Sequence, residues 1–96
     1  MNEARWAQYG TKHGHAAGKL LALQRNPNVE VAGVYEPDPE RREEVSSQKG
    51  PFSSCNWFDE PSQILEDTSI VAVASEGSNF ESLDQTESLI QAGKHV

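Results

Sequence analysis

The feature that most restricts what this chain can fold into is a repeated switch of apolar spacing. It alternates between the strand period of two and the helix period of 3.6. Ala4 to Tyr9 reads as a short strand, although Arg5 and Gln8 are unusual residues for a central buried strand. Ala16, Ala17, Leu20, Leu21 and Leu23 then recur at helical spacing. Asn26-Pro27-Asn28 should end that helix, because the residue before a proline disfavours helical geometry. Val29 to Tyr35 is a second strand. Asp38-Pro39 opens a second helix, with Asp38 as N-cap and Pro39 at the first helical position. This helix runs through the charged stretch Glu40 to Glu44 to Val45, and Gly50-Pro51 stops it.

Phe52 to Phe58 reads as a short third strand, and Glu60-Pro61 opens a short helix containing Ile64 and Leu65. Ile70 to Ala74 is an unbroken apolar run, as a parallel strand buried on both faces requires. Ser78 and Glu81 have capping-box spacing at the start of a helix over 78–92, which Gly93 ends. Lys94-His95-Val96 begins a further strand. Strands alternating with helices imply a parallel sheet with right-handed crossovers. The expected fold is therefore α/β, a Rossmann-like doubly wound parallel sheet in one domain over residues 1–96, cut at the start of a fifth strand.

Composition excludes several classes of function. The net charge is −7, and an acidic surface is a poor match for nucleic acid phosphates or an anionic membrane. The longest apolar run falls far short of the roughly 20 residues of a membrane span. No signal-like segment follows Met1, so a cytoplasmic protein is expected. Cys55 is the single cysteine. It cannot form an internal disulfide and has no neighbouring base, so it reads as an ordinary packed thiol. His13 and His15 are two apart and would point to different faces of a helix, so no metal site is expected.

The turn from Tyr9 to Gly18 is the most informative place for chemistry. A glycine-rich turn between a strand and a helix lets a dinucleotide pyrophosphate approach the helix N-terminus. With Gly10 as the first glycine of G-x-G-x-x-G, however, Lys12 and His15 occupy the other two glycine positions. A tight turn that only packs the helix on the strand is the competing reading. Glu36 ends the second strand 26 residues after Gly10. In a dinucleotide site an acid about 20 residues on accepts hydrogen bonds from the ribose hydroxyls. A solvated loop acid is the alternative for Glu36, and Asp38 is better explained as a helix cap.

Three stretches carry a resemblance that covers residues 4 to 96. They are Gly10 to Gly18, with the pair His15-Ala16; Val29 to Arg41, which contains Tyr35-Glu36-Pro37-Asp38-Pro39; and Leu89-Ile90-Gln91-Ala92-Gly93-Lys94-His95-Val96. The chain resembles the N-terminal domain of the glucose-fructose oxidoreductase, inositol dehydrogenase and rhizopine-catabolism family. The resemblance implies cofactor-binding roles for Gly10, Thr11, Lys12, His13, Gly14 and Glu36. It implies NAD rather than NADP, because the Glu36 carboxylate would repel a 2′-phosphate and no arginine follows it directly. It also implies hydride transfer to or from a sugar, polyol or related hydroxyl compound, the substrate being bound only in a longer protein. The loop Ala74 to Asn79 lacks the family's Thr-Pro, and its Glu-Lys-Pro motif and α+β domain would lie beyond Val96. No catalytic residue is therefore assigned, and the chain is expected to be catalytically incomplete. A non-catalytic nucleotide-binding module or relic of such an enzyme is the alternative, and a plain structural α/β domain with no ligand is a third reading.

Overall fold

The computed structural model describes residues 4–12, 16–76, 90, 93 and 94. The expected helix over 78–92 and the last strand lie almost wholly outside the described residues. Three strands, β1 (Ala4–Tyr9), β2 (Val29–Tyr35) and β3 (Ile70–Ser75), form one sheet in the order β2-β1-β3. Both pairings are parallel, and β1 is central. This is the small α/β arrangement of a Rossmann-like fold, with helices between parallel strands.

The central strand is covered on both faces, which its alternating side chains make visible. On one face Ala7 packs with Ala32, Ile70 and Val73 from the neighbouring strands and with Ile64 from the short helix α3 (Ser62–Leu65). On the other, Val34 packs with Ala16 and Leu20 of helix α1 (Ala16–Arg25), Val45 of helix α2 (Pro39–Ser46) and Phe52. Leu20 and Ile64 are fully buried, each contributing about 2–3 kcal/mol of apolar burial.

The helix ends follow local chemistry. Asp38 is the N-cap of α2, accepting from the amides of Glu40 and Arg41, with Pro39 at the first position. Arg5, at the amino end of β1, meets Glu30 at 3.2 Å and Asp67 at 3.4 Å, and also donates to the Ser69 hydroxyl. That end of the sheet is open enough for ions, which is why a central strand tolerates an arginine there.

Residues 52–58 do not form the expected third strand. Pro51–Ser53 is one 3-10 turn, and the apolar pattern of this stretch serves packing instead. Phe52 fills the core, and Trp57 lies tilted against it with ring centroids 6.0 Å apart. Strand pairing is reduced to one parallel bridge between Val34 and Trp57, in which Val34 N donates to Asn56 O and Phe58 N to Val34 O. Gly50-Pro51 at the start of the stretch favours a turn over an extended chain.

Candidate functional site at the carboxyl ends of the strands

In parallel α/β sheets ligands lie beyond the carboxyl ends of the strands, where the strand order reverses direction. Here β1 is that point, since β2 lies to one side of it and β3 to the other. The hydrogen-bond ladder continues just past the strands: Gly10 N donates to Tyr35 O at 2.7 Å, and Glu76 N to Tyr9 O at 2.8 Å. The chain then turns at Gly10 with φ +95°. Only glycine enters that region without steric cost, so this position has a backbone reason for its residue.

The turn is tied to the end of β2 by a buried carboxylate. Glu36 Oε1 accepts from the Thr11 amide at 2.8 Å and from the Thr11 hydroxyl at 2.6 Å. Its Oε2 accepts from the Asp38 amide at 2.8 Å. Glu36 is 4% exposed and Thr11 1%. A carboxylate offers about four lone-pair sites. Among the described residues three donors reach it, two on Oε1 and one on Oε2.

Lys12, which stands at the second glycine position, does not extend freely into solvent. Its Nζ lies 3.1 Å from Asp38 Oδ2. The Asp38 carboxyl is consequently held below the usual carboxylate range, first by the Lys12 ammonium and then by the Arg41 amide. Tyr9 and Tyr35, which end β1 and β2, meet edge to face with centroids 5.1 Å apart. Burial is the main cause that raises the hydroxyl pKa of both.

The structure thus brings together four of the residues singled out in the sequence: Gly10, Thr11, Lys12 and Glu36. His13 and Gly14 lie outside the described residues, as do His15 and His95. Sequence reasoning missed Arg41, whose Nη2 donates to Thr11 O at 3.1 Å while Nη1 meets Glu44 at 2.7 Å. Its distance along the chain hid it. One helical turn places Arg41 just beyond the Asp38 cap, and the side chain reaches back across the crevice. Gln8 was also missed as a site residue. It lies under the turn, with Nε2 3.2 Å from both Gly10 O and Ala16 O.

Among the described residues no helix is long and apolar enough to cross a membrane. No protein-family model matches the chain, and no curated protein matches it in sequence. Among solved structures it is similar to a protein of Erwinia carotovora atroseptica described as a "putative oxidoreductase", with a TM-score of 0.56 and 20% identity. The likeness covers 98% of this chain and 35% of that one. At this identity it shows the fold, and the chain spans about a third of the neighbour's length.

Proposed function

We propose that this chain is the NAD-binding unit of an oxidoreductase of the glucose-fructose oxidoreductase, inositol dehydrogenase and rhizopine-catabolism type, acting in a longer protein on a sugar, polyol or related hydroxyl compound. One observation carries the reading. The buried Glu36 carboxylate at the end of β2 is bonded to Thr11 in the glycine turn after β1. This joins the two parts a dinucleotide crevice needs: a strand-to-helix turn for the pyrophosphate and an acid for the ribose. The fold shared with the Erwinia protein, itself described as a "putative oxidoreductase", agrees with it.

In this reading Glu36 takes one ribose hydroxyl on Oε2, and the turn from Gly10 through Gly14 receives the pyrophosphate. The Thr11 amide is already committed to Glu36, so Lys12, His13 and Gly14 supply the contacts to phosphate. When bound, the nicotinamide would accept the hydride from the substrate or return it; this chain's part is to hold the cofactor. NAD is favoured over NADP because a 2′-phosphate would sit against the Glu36 carboxylate. The nearby cations do not offset that, since Lys12 is paired with Asp38 and Arg41 with Glu44 and the Thr11 carbonyl.

The Lys12–Asp38 pair favours a second reading, a non-catalytic nucleotide-binding module. A long side chain at a glycine position narrows the approach of backbone to pyrophosphate. Titration of the purified protein with NAD, NADH, NADP and NADPH tests both readings. Saturable binding with NAD ahead of NADP, and loss of that preference in Glu36→Ala, supports the NAD assignment. Equal affinities remove it, and absence of binding removes both readings. A marked gain of affinity in Lys12→Gly favours the non-catalytic module.

A further inference from the structure

Gln8 is the one member of this neighbourhood whose presence neither the sheet nor the proposed ligand explains. It is fully buried in the central strand. Its cross-strand partners are Val34 on β2 and Ala74 on β3, both buried and apolar. An aliphatic residue would fit such surroundings at no polar cost. The amide is instead oriented by two carbonyl oxygens, with Nε2 donating to Gly10 O and to Ala16 O at 3.2 Å each. Turning the amide over would aim Oε1 at those two carbonyls, so its orientation is fixed. Oε1 is then left buried without a hydrogen-bond partner. A buried unmade hydrogen bond is costly, and sites that keep one need a reason.

The two acceptors supply the reason. Gly10 is the last residue of β1's ladder before the turn, and Ala16 is the first residue of α1. They lie on either side of residues 11–15, and one side-chain NH₂ ties the chain before that stretch to the chain after it. We propose that Gln8 is a positioning residue that braces this turn, fixing the spacing of its ends so that the turn is preorganised for the dinucleotide pyrophosphate. The brace itself is independent of any ligand; its effect on affinity rests on the dinucleotide reading above. Preorganisation raises affinity by removing the ordering cost from the binding step.

The test compares the unsubstituted protein with Gln8→Leu and Gln8→Glu. Leu removes the brace together with the orphan oxygen. Glu keeps the shape but presents an acceptor to two acceptors unless it is protonated. Native-state hydrogen exchange is followed at the Thr11 and Leu20 amides, with the Val73 amide in β3 as the internal reference. The expected result is exchange about tenfold faster at Thr11 and Leu20 in both variants, with Val73 unchanged. In Gln8→Glu the protection should return as pH falls and the carboxyl gains its proton. NADH titration should show binding about tenfold weaker in Gln8→Leu, with thermal stability equal or higher. A merely structural glutamine would move stability and all amides together. Unchanged exchange at Thr11 and Leu20 in both variants overturns the brace, whatever the ligand does. Faster exchange with unchanged NADH affinity overturns its role in binding. An unsubstituted protein that binds no dinucleotide overturns the reading of the site, and hence the ligand half of this inference. If Gln8→Leu does not fold, Gln8→Glu carries the comparison through its pH dependence.

Discussion

Thr11 gives both of its hydrogen-bond donors, amide and hydroxyl, to the same oxygen of Glu36, across 25 residues of sequence. This arrangement fastens the turn after the first strand to the end of the second. The hydroxyl bond is short, charged and buried, so it is worth about 2 kcal/mol. Thr11→Val keeps the shape and the amide bond and should destabilise the protein by about that amount. Thr11→Ser, which retains the donor, should recover most of it. Chemical denaturation of the three proteins checks this; equal midpoints for Val and Ser would show that the hydroxyl contributes nothing.

Glu36→Gln probes the other partner. Every described bond to this carboxylate comes from a donor, on Oε1 from Thr11 and on Oε2 from Asp38. A glutamine must place its NH₂ against one of those amides, setting donor against donor in a buried place. The substitution should therefore destabilise more than Thr11→Val does, even though it is nearly isosteric. A Glu36→Gln protein as stable as the unsubstituted one would mean that the carboxylate is not held as described.

Acid should weaken the fold through two half-buried aspartates. The carboxyl of Asp38 is held low first by Lys12 and then by the Arg41 amide. That of Asp67 is held low first by the Ser69 hydroxyl and then by the Ser69 amide. A lowered folded-state value means that each contributes above the unfolded carboxyl value of about 3.9. The contribution is lost as pH falls below that value and through the lower folded one. Asp38→Asn keeps an acceptor for the helix cap but gives up the charge toward Lys12. It should lower the neutral plateau towards the acid value and so flatten the acid limb of a stability–pH curve measured between pH 2 and 6. An unaltered acid limb would exclude Asp38 from that loss.

Cys55 offers a chemical check on the packing around Trp57. Its Sγ donates to Phe52 O at 3.5 Å, and burial pushes the thiol up to about 11. The reactive species is the thiolate. Against a free cysteine near pKa 8.5, alkylation at pH 8 should be roughly two-hundredfold slower in the native protein, with the ordinary rate restored by denaturant. The raised value also predicts that stability declines as pH rises from about 8.5 towards the folded value. Native and denatured rates that agree would place the thiol in solvent.

The fold was legible because its signal is periodic. Ala4–Tyr9, Val29–Tyr35 and Ile70–Ser75 alternate or run apolar as parallel strands do, and Asp38-Pro39 announces a helix start in two residues. The stretch 52–58 misled because Phe52, Trp57 and Phe58 satisfy a strand's composition while serving as core plugs; composition does not distinguish the two roles. At the site, Gly10 and Glu36 were legible from their places after strands. Their bond through Thr11 was not, because no local pattern reports which side chain closes a contact over 25 residues. Arg41 was invisible for the same reason. Gln8 was visible as an anomaly, but its partners Gly10 and Ala16 follow only from the fold.

Gly33 gives the sharpest test of that core beside Phe58. It sits in β2 opposite Ala7, where the strand would accept almost any β-forming residue on propensity. The obstacle is space. A Cβ built at Gly33 would lie 2.8 Å from Phe58 Cε2 and 2.9 Å from Asn56 O. A ring can tilt away, but the Asn56 carbonyl accepts from Val34 N at 2.8 Å, and the Asn56 side chain in turn donates to Ala32 O at 2.9 Å. Moving that backbone would strain both bonds and the bridge from Val34 to Trp57. Gly33→Ala should therefore destabilise by about 1–3 kcal/mol, the usual cost of overpacking. It should do so although alanine normally stabilises a chain by restricting its unfolded state. A lower denaturant midpoint with an unchanged slope is the expected signature. Combining it with Phe58→Leu, which clears the ring but leaves the carbonyl, should recover only part of the loss. Full recovery would show that the ring alone excludes a side chain at this position, and an unchanged midpoint in Gly33→Ala would show that the edge of β2 is not closed as described.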